Sequence, residues 1–342
     1  MLLRHVRHRN RLGFFQYLIL KKASNKMSDE QRSTEVSDVA PSSIAHIIGQ
    51  RSVVEQVKVG IDAAFQDQRR FDHSLLVGPP GMGKSALANV IAHEMATDFH
   101  EVLGQSLNTP GDLNGLLFKA SAKAVVHIDE AHELPKPIQT ALYLALDKRN
   151  VFVNGGNSIT AIPVEDFTLL LSTTDEYNLL QPLRDRMRMV LRFEFYSIEE
   201  LTRIVVHRVK GLGWDVHESL FSQIAQRSRG TPRLALRLLQ SCRRVCRSTG
   251  ENTITPEHLS RACVLEQIDE RGLGPTEQNY LQLLVDGPKR LNVLASSLGL
   301  PPRTISQVTE PFLVRAGLIA KDDQSRRQLT ALGYEHAAKE RT

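Results

Sequence analysis

A chain of 342 residues with 41% hydrophobic and 24% charged residues is long enough for two or three domains, each able to bury a core. No apolar run approaches the ~20 residues that a membrane-crossing helix needs. The net charge of +5 suggests nucleic acid, but seven Lys/Arg and no Asp or Glu fall within residues 1–26; the rest holds 36 basic against 38 acidic residues. Any nucleic-acid contact by the folded body must therefore use local patches and not a global field.

In chain order, residues 1–40 read as an arm outside the fold. Basic residues precede a short apolar patch at 12–20, as at the start of a signal peptide, but Lys21 and Lys22 follow in place of a small-residue cleavage site. Met27 then opens the polar stretch MSDEQRSTEVSDVAPSS. Either Met27 is the real start or 1–40 is a disordered basic and polar arm.

From 41 to 195 short apolar runs alternate with helical stretches, the pattern of a parallel sheet covered by helices. Strands are expected at 75–77, Phe99–Leu103, 124–128, 168–171 and 190–193, and helices at Arg51–Gln66, 84–95, 111–118 and 137–146. Two β-rich runs around Asn154-Gly155-Gly156-Asn157 predict a hairpin over 151–164. From 196 to 270 the pattern is helical, with starts at Ser197-Ile198-Glu199-Glu200 and Thr255-Pro256-Glu257. A break at Arg271-Gly272-Leu273-Gly274-Pro275 opens a third unit, 271–342. There, helices beginning near Thr276, Leu291 and Pro302 precede two short extended runs, 318–321 and 327–330. Helices followed by a small hairpin suggest a winged helix-turn-helix. Cys242, Cys246 and Cys263 are too few and too scattered for a disulfide framework or a zinc set, and read as reduced thiols of a cytoplasmic protein.

The chemistry begins at Gly78-Pro79-Pro80-Gly81-Met82-Gly83-Lys84-Ser85, a phosphate-binding P-loop between an apolar strand and a helix. Gly81 and Gly83 let the backbone curl so that its N–H groups face the phosphates, and the helix N-terminus adds positive potential. Lys84 can reach the β- and γ-phosphates, and Ser85 can hold Mg²⁺. Val125-Val126-His127-Ile128-Asp129-Glu130 is an apolar strand ending in two carboxylates. After a P-loop it reads as a Walker B motif, with Asp129 supporting Mg²⁺ through water and Glu130 polarising the attacking water. The strand Thr168-Leu169-Leu170-Leu171 ends in Ser172-Thr173-Thr174, hydroxyls that can position the same water. An arginine of Pro182-Leu183-Arg184-Asp185-Arg186 can reach a neighbouring subunit's γ-phosphate. Arg233, at the start of a helix after Gly230-Thr231-Pro232, can bend back onto the nucleotide; most of the seven arginines in 227–247 read instead as a solvated helical face.

In this order and spacing, the Walker A and B motifs, LSTT, PLRDR, SRGTPRLALRLL and the Thr304…Glu310-Pro311-Phe312-Leu313 pattern resemble an AAA+ ATPase and, more narrowly, the RuvB family of Holliday-junction branch-migration motors. The likeness runs from about residue 44 to 334. It implies an α/β fold: a P-loop AAA+ parallel-sheet domain, then an all-α lid, then a C-terminal winged-helix domain. It also implies ATP and Mg²⁺ as cofactors, a ring (a hexamer in the family), and double-stranded DNA at a four-way junction together with a RuvA-like junction-binding protein as partners. Residue by residue, it places Ile48-Gly49-Gln50 near the adenine, Gly81, Gly83, Lys84, Ser85 and Ala86 on the phosphates, and Tyr196 against the nucleotide at the domain junction. Thr174 matches sensor 1, Arg186 the finger acting in trans, Arg233 sensor 2, and Arg326 and Arg327 the wing residues on DNA phosphates.

The chain also departs from the family. Val39-Ala40-Pro41-Ser42 stands where an Arg-Pro step is usual, and His132-Glu133 replaces His-Arg. The wing reads Ser325-Arg326-Arg327, not Arg-Gly-Arg, beside Asp322 and Asp323. The hairpin that would meet RuvA is shorter, with Ile159 and Ile162 available for an apolar tip. Three functions are compatible: a DNA-pumping motor, a nucleotide-gated loader or switch that does not translocate, and a DNA-binding regulator with a vestigial ATPase. The intact set Lys84, Asp129, Glu130, Arg186 and Arg233 speaks against the third.

Overall fold

Five strands form the first sheet: β1 (Ser74–Val77), β2 (Phe99–Leu103), β3 (Val125–Asp129), β6 (Thr168–Thr173) and β7 (Met189–Arg192); the apolar β1, β3 and β6 are buried on both faces, and β2 and β7 are partly exposed edges. Their order is β2-β3-β6-β1-β7, all parallel. Side chains alternate between two cores. Leu75, Val126, Ile128, Leu169 and Leu171 face one, and Leu76, Val125, Leu170 and Leu191 the other. The computed structural model describes residues 40–154 and 159–339; the side chains of Asn154 and Ile159, the hairpin tip and nearly all of the expected N-terminal arm lie outside them.

Helices α1 (Arg51–Gln66), α2 (Lys84–Glu94), α3 (Pro110–Leu117) and α4 (Lys136–Lys148) flank the sheet. A capping box starts α3: Thr109 accepts the Asp112 N–H, and Asp112 accepts that of Thr109. The strand order sets β6 between β3 and β1, so the ends of the Walker strands and the hydroxyl-tipped strand share one sheet edge. Ligands of open parallel sheets bind outside such carboxyl ends.

The hairpin is β4 (Asn150–Asn154) paired with β5 (Ile159–Pro163). Val151 and Ile162 are direct partners, and both pack on the core below the sheet. Ile162 therefore does not form an apolar tip, as its place in the sequence suggested. The period-2 alternation sends it inward, and exposed Phe152, opposite Ala161, takes the outer face.

After a one-turn helix α5 (Gln181–Arg184), the second region holds α6 (Ile198–Leu212), α7 (Ser219–Gln226), α8 (Pro232–Ser248) and α9 (Pro256–Glu266). Ser197 and Glu200 cap α6 reciprocally. A two-residue parallel pair, β8 (Asp215–Val216) with β9 (Thr253–Ile254), was not anticipated. All three cysteines are free and buried, and burial pushes the Cys242 thiol up to about 12, so it stays protonated. The arginine-rich face of α8 is not wholly solvated, since Arg237 and Arg244 both meet Glu266.

The third region is α10 (Pro275–Leu284), α11 (Leu291–Leu298), a helix over 302–315 (α12), the antiparallel wing β10 (Ile319–Lys321) and β11 (Arg327–Leu329), and α13 (Ala331–Lys339), which the sequence pattern did not show. Within α12 the turn Ile305–Thr309 is π-helical. Pro311 follows it and has no N–H for the regular ladder, which accounts for the widened turn.

Candidate nucleotide-binding site

The turn between β1 and α2 has its glycines where glycine is needed: Gly81 has φ +78° and Gly83 φ +94°. Gly81 also allows a close approach, since a Cβ there would lie 2.7 Å from the Cβ of Arg233. The buried Lys84 ammonium donates to the carbonyls of Gly78 (2.8 Å) and Pro79 (2.9 Å). Burial lowers its pKa, the Glu130 and Asp129 carboxylates oppose that shift, and Arg233 adds to it. Three charges, up to 149 positions away in sequence, thus act on this one ammonium. Its hydrogen-bond acceptors are two neutral carbonyls, and a phosphate oxygen would be the stronger acceptor.

β3 carries Asp129 to the same edge. Ser85 Oγ donates to Asp129 Oδ2 at 3.0 Å, and Asp129 Oδ1 accepts the Glu130 N–H at 2.9 Å. These adjoining hydroxyl and carboxylate oxygens suit a hard cation such as Mg²⁺. Glu130 sits in the left-handed region (φ +50°), a strain typical of functional positions. Gly104 makes room for it: a Cβ there would fall 2.5 Å from the Glu130 carbonyl oxygen.

His132, one turn beyond, joins two of the expected groups. Its Nδ1 lies 3.4 Å from Glu130 Oε2 and 3.2 Å from Thr173 Oγ1. Thr173 is buried at the end of β6, whereas Thr174 is exposed. The hydroxyl that meets His132 beside Glu130 is therefore that of Thr173, not that of Thr174, which the family pattern singles out. Thr173 is the last residue of β6 and Thr174 falls in the bend beyond it, so one position decides which hydroxyl enters. His132 escaped the sequence reading; its cue was its place two residues after Glu130.

The nucleotide side is closed by the second region. Tyr196 donates its hydroxyl to Met82 O (3.1 Å) and its N–H to Gly230 O (3.0 Å), and burial pushes its pKa up to about 12, so it remains a neutral donor. The Arg233 N–H points at Gly81 O. The segment Ile48-Gly49-Gln50 is held here as well. Gln50 exchanges two hydrogen bonds with the Glu194 backbone, and a Cβ on Gly49 would meet the Tyr196 ring at 2.9 Å. The P-loop, the Walker strand, the Ile48-Gly49-Gln50 segment and the lid residues therefore converge. Ala86 lies in the first turn of α2.

Arg186 does not join this cluster. Its guanidinium pairs with the Asp147 carboxylate through two nitrogens, donates to Pro182 O and lies 4.9 Å from the Tyr143 ring centroid. The hydrogen bonds raise the Arg186 pKa and lower that of Asp147.

The wing corrects another expectation. Arg327 is buried, with Nε 2.7 Å from Glu310 Oε1 and Nη2 3.2 Å from Glu310 Oε2; Tyr280 donates to the same carboxylate at 3.0 Å. It is a core ion pair and does not face a DNA phosphate. Arg326 remains partly exposed, its Nε bound to Asp322 at 2.7 Å. Lys321, in register with Arg327 on β10, is exposed.

Residues 39–193 match the family profile described as the Holliday junction DNA helicase RuvB P-loop domain, 196–269 the RuvB AAA lid domain, and 270–338 the RuvB C-terminal winged helix domain. The Holliday junction branch migration complex subunit RuvB of Anaeromyxobacter dehalogenans is 36% identical over 88% of this chain and 90% of that protein. The protein of the same name from Corynebacterium diphtheriae is 35% identical over 91% and 88%. Among solved structures, the Thermotoga maritima RuvB Holliday junction branch migration motor superimposes with a TM-score of 0.76 at 32% identity, over 87% of this chain and 98% of that one. A single-substitution mutant of it gives 0.78 over 88% and 99%.

Proposed function

The chain belongs to the RuvB family of P-loop ATPases, and from that premise we propose that it is an ATP-driven motor for branch migration of four-way DNA junctions in recombination and repair. Its units are taken as 41–195 for the ATPase, 196–270 for the lid and 271–342 for the winged helix. The observation that carries the reading is the composition of the site. One chain supplies the phosphate cradle, both carboxylates and the lid contacts, while Arg186 rests on its own α4. A site lacking only its finger is completed by a second copy, hence a homo-oligomeric ring, with six subunits as the family precedent.

In this reading Lys84 and Arg233 balance phosphate charge, with Gly81, Gly83 and Ala86 lending backbone N–H groups. Ser85 would hold Mg²⁺ and Asp129 would support it through water; bound there, the ion would neutralise phosphate charge. Glu130, steadied by His132 and Thr173, takes the proton of the attacking water. A neighbour's Arg186 exchanges Asp147 for the γ-phosphate. Tyr196 and Ile48 pack against the nucleotide, and lid motion about the junction near Tyr196 turns nucleotide state into DNA movement. Arg326 and Lys321 of the wing contact DNA phosphates, a sequence-independent and salt-sensitive contact. Outer-face Phe152 is the residue for a RuvA-like partner, and the cytoplasm is the compartment.

The alternative, a nucleotide-gated loader, draws on the inward-turned Arg327, which leaves the wing with fewer free cations. Steady-state ATP turnover, measured with and without a synthetic four-way junction and a RuvA-like protein, separates the two. The motor shows stimulation together with junction dissociation. ATP binding without junction-stimulated turnover favours the loader.

A further inference from the structure

The last residue of α12 in the winged helix, Arg315, reaches the hinge that carries the nucleotide-covering residues. Its guanidinium carbon lies 3.2 Å from the centroid of the Phe195 ring and 5.3 Å from that of Phe312. Its Nη2 also donates to the Arg229 carbonyl. These two contacts fall on the two chain segments that cross at the hinge. Phe195 immediately precedes Tyr196, which bonds the P-loop at Met82. Arg229 opens the turn through Gly230 and Thr231 into α8, whose second residue is Arg233 against Gly81.

The segments are zipped together. Gly230 O accepts the Tyr196 N–H, and a Cβ on Gly230 would stand 3.2 Å from the Phe195 Cβ. Arg229 and Gly230 both have positive φ, +51° and +76°, a turn that neighbouring contacts must hold in place. Arg229 returns the contact, pairing with Glu277 at 2.8 Å, donating to Gly272 O and lying 5.2 Å from the Phe312 ring. The joint is therefore reciprocal: one winged-helix arginine on the hinge, and one hinge arginine in the winged helix.

We propose that Arg315 is a positioning residue for nucleotide binding, holding Phe195-Tyr196 and the 229–230 turn at the spacing that sets Tyr196 and Arg233 over the P-loop. A stacked guanidinium suits the task because it contacts an aromatic face and a carbonyl together. By this route the occupancy of the third domain reaches the ATP site without any direct contact between them.

The test is titration of the full chain with a fluorescent ADP analogue, together with KM and kcat for ATP. Arg315→Ala is expected to raise Kd and KM by ~5-fold while kcat stays within ~2-fold. Phe195→Ala should do the same, the double variant should be no weaker than the weaker single, and Arg315→Lys should recover part of the loss. A wild-type Kd in Arg315→Ala overturns the proposal, as do effects of the two substitutions that multiply independently. If Arg315→Ala fails to fold, Arg315→Lys and Phe195→Ala carry the same test: a raised Kd in both supports the proposal, and a wild-type Kd in both overturns it.

Discussion

The P-loop edge and the wing both carry basic residues at positions where the family pattern expects phosphate contacts, yet they turn out oppositely. At the P-loop edge every cradle residue converges, from Lys84 to Asp129 to Arg233. In the wing, one of the two arginines turns inward onto Glu310 and the other pairs with Asp322. The difference lies in what fixes each side chain. Around Gly81 and Gly83 the proposed phosphate contacts come from the backbone itself, whose conformation follows from the glycines. In the wing, orientation depends on which carboxylate waits nearby, and Glu310 lies seventeen residues earlier on another element.

The largest expected effects probe the first region. Lys84→Ala should abolish nucleotide binding or turnover, seen by fluorescent-nucleotide titration and phosphate release, whereas Glu130→Gln should bind ATP and retain it. Arg186→Ala should lower turnover about a thousandfold at unchanged ATP affinity, the range known for trans-acting arginines. Normal hydrolysis by that variant would mean the site is complete within one chain.

The wing should answer in stability. Arg327→Ala leaves the buried Glu310 with only the more distant, exposed Lys321 (3.9 Å) as a cation, and thermal or denaturant unfolding should show a loss of ~3 kcal/mol. Adding Glu310→Gln should return part of it. If Arg327→Ala instead leaves the unfolding midpoint unchanged and weakens DNA binding, the ion pair is not structural.

Two smaller effects sharpen the contrast. Thr173→Val should slow hydrolysis by ~10-fold and Thr174→Val by less than ~2-fold, since only the first hydroxyl meets His132. Arg326→Ala and Lys321→Ala should each flatten the salt dependence of DNA binding by about one unit of slope.

The sheet, the lid and the winged helix were legible because apolar period, caps and Gly-Pro breaks are local signals. Gly81, Lys84, Ser85 and Asp129 were legible for the same reason, being tied to a strand end or a helix start. What escaped depends on pairings across the fold. Thr173 ends a strand and Thr174 lies just past it, Ile162 was turned inward by its pairing with Val151, and Asp147 holds Arg186 from 39 positions away. The π turn before Pro311 and the closing helix α13 likewise had no pattern of their own.

The most direct measurement is ATP turnover in a mixture of Arg186→Ala and Lys84→Ala proteins, each inactive alone. The account predicts that the mixture regains turnover, because Lys84→Ala subunits lend Arg186 to intact nucleotide sites on their neighbours. A mixture no more active than its two components would contradict the shared site.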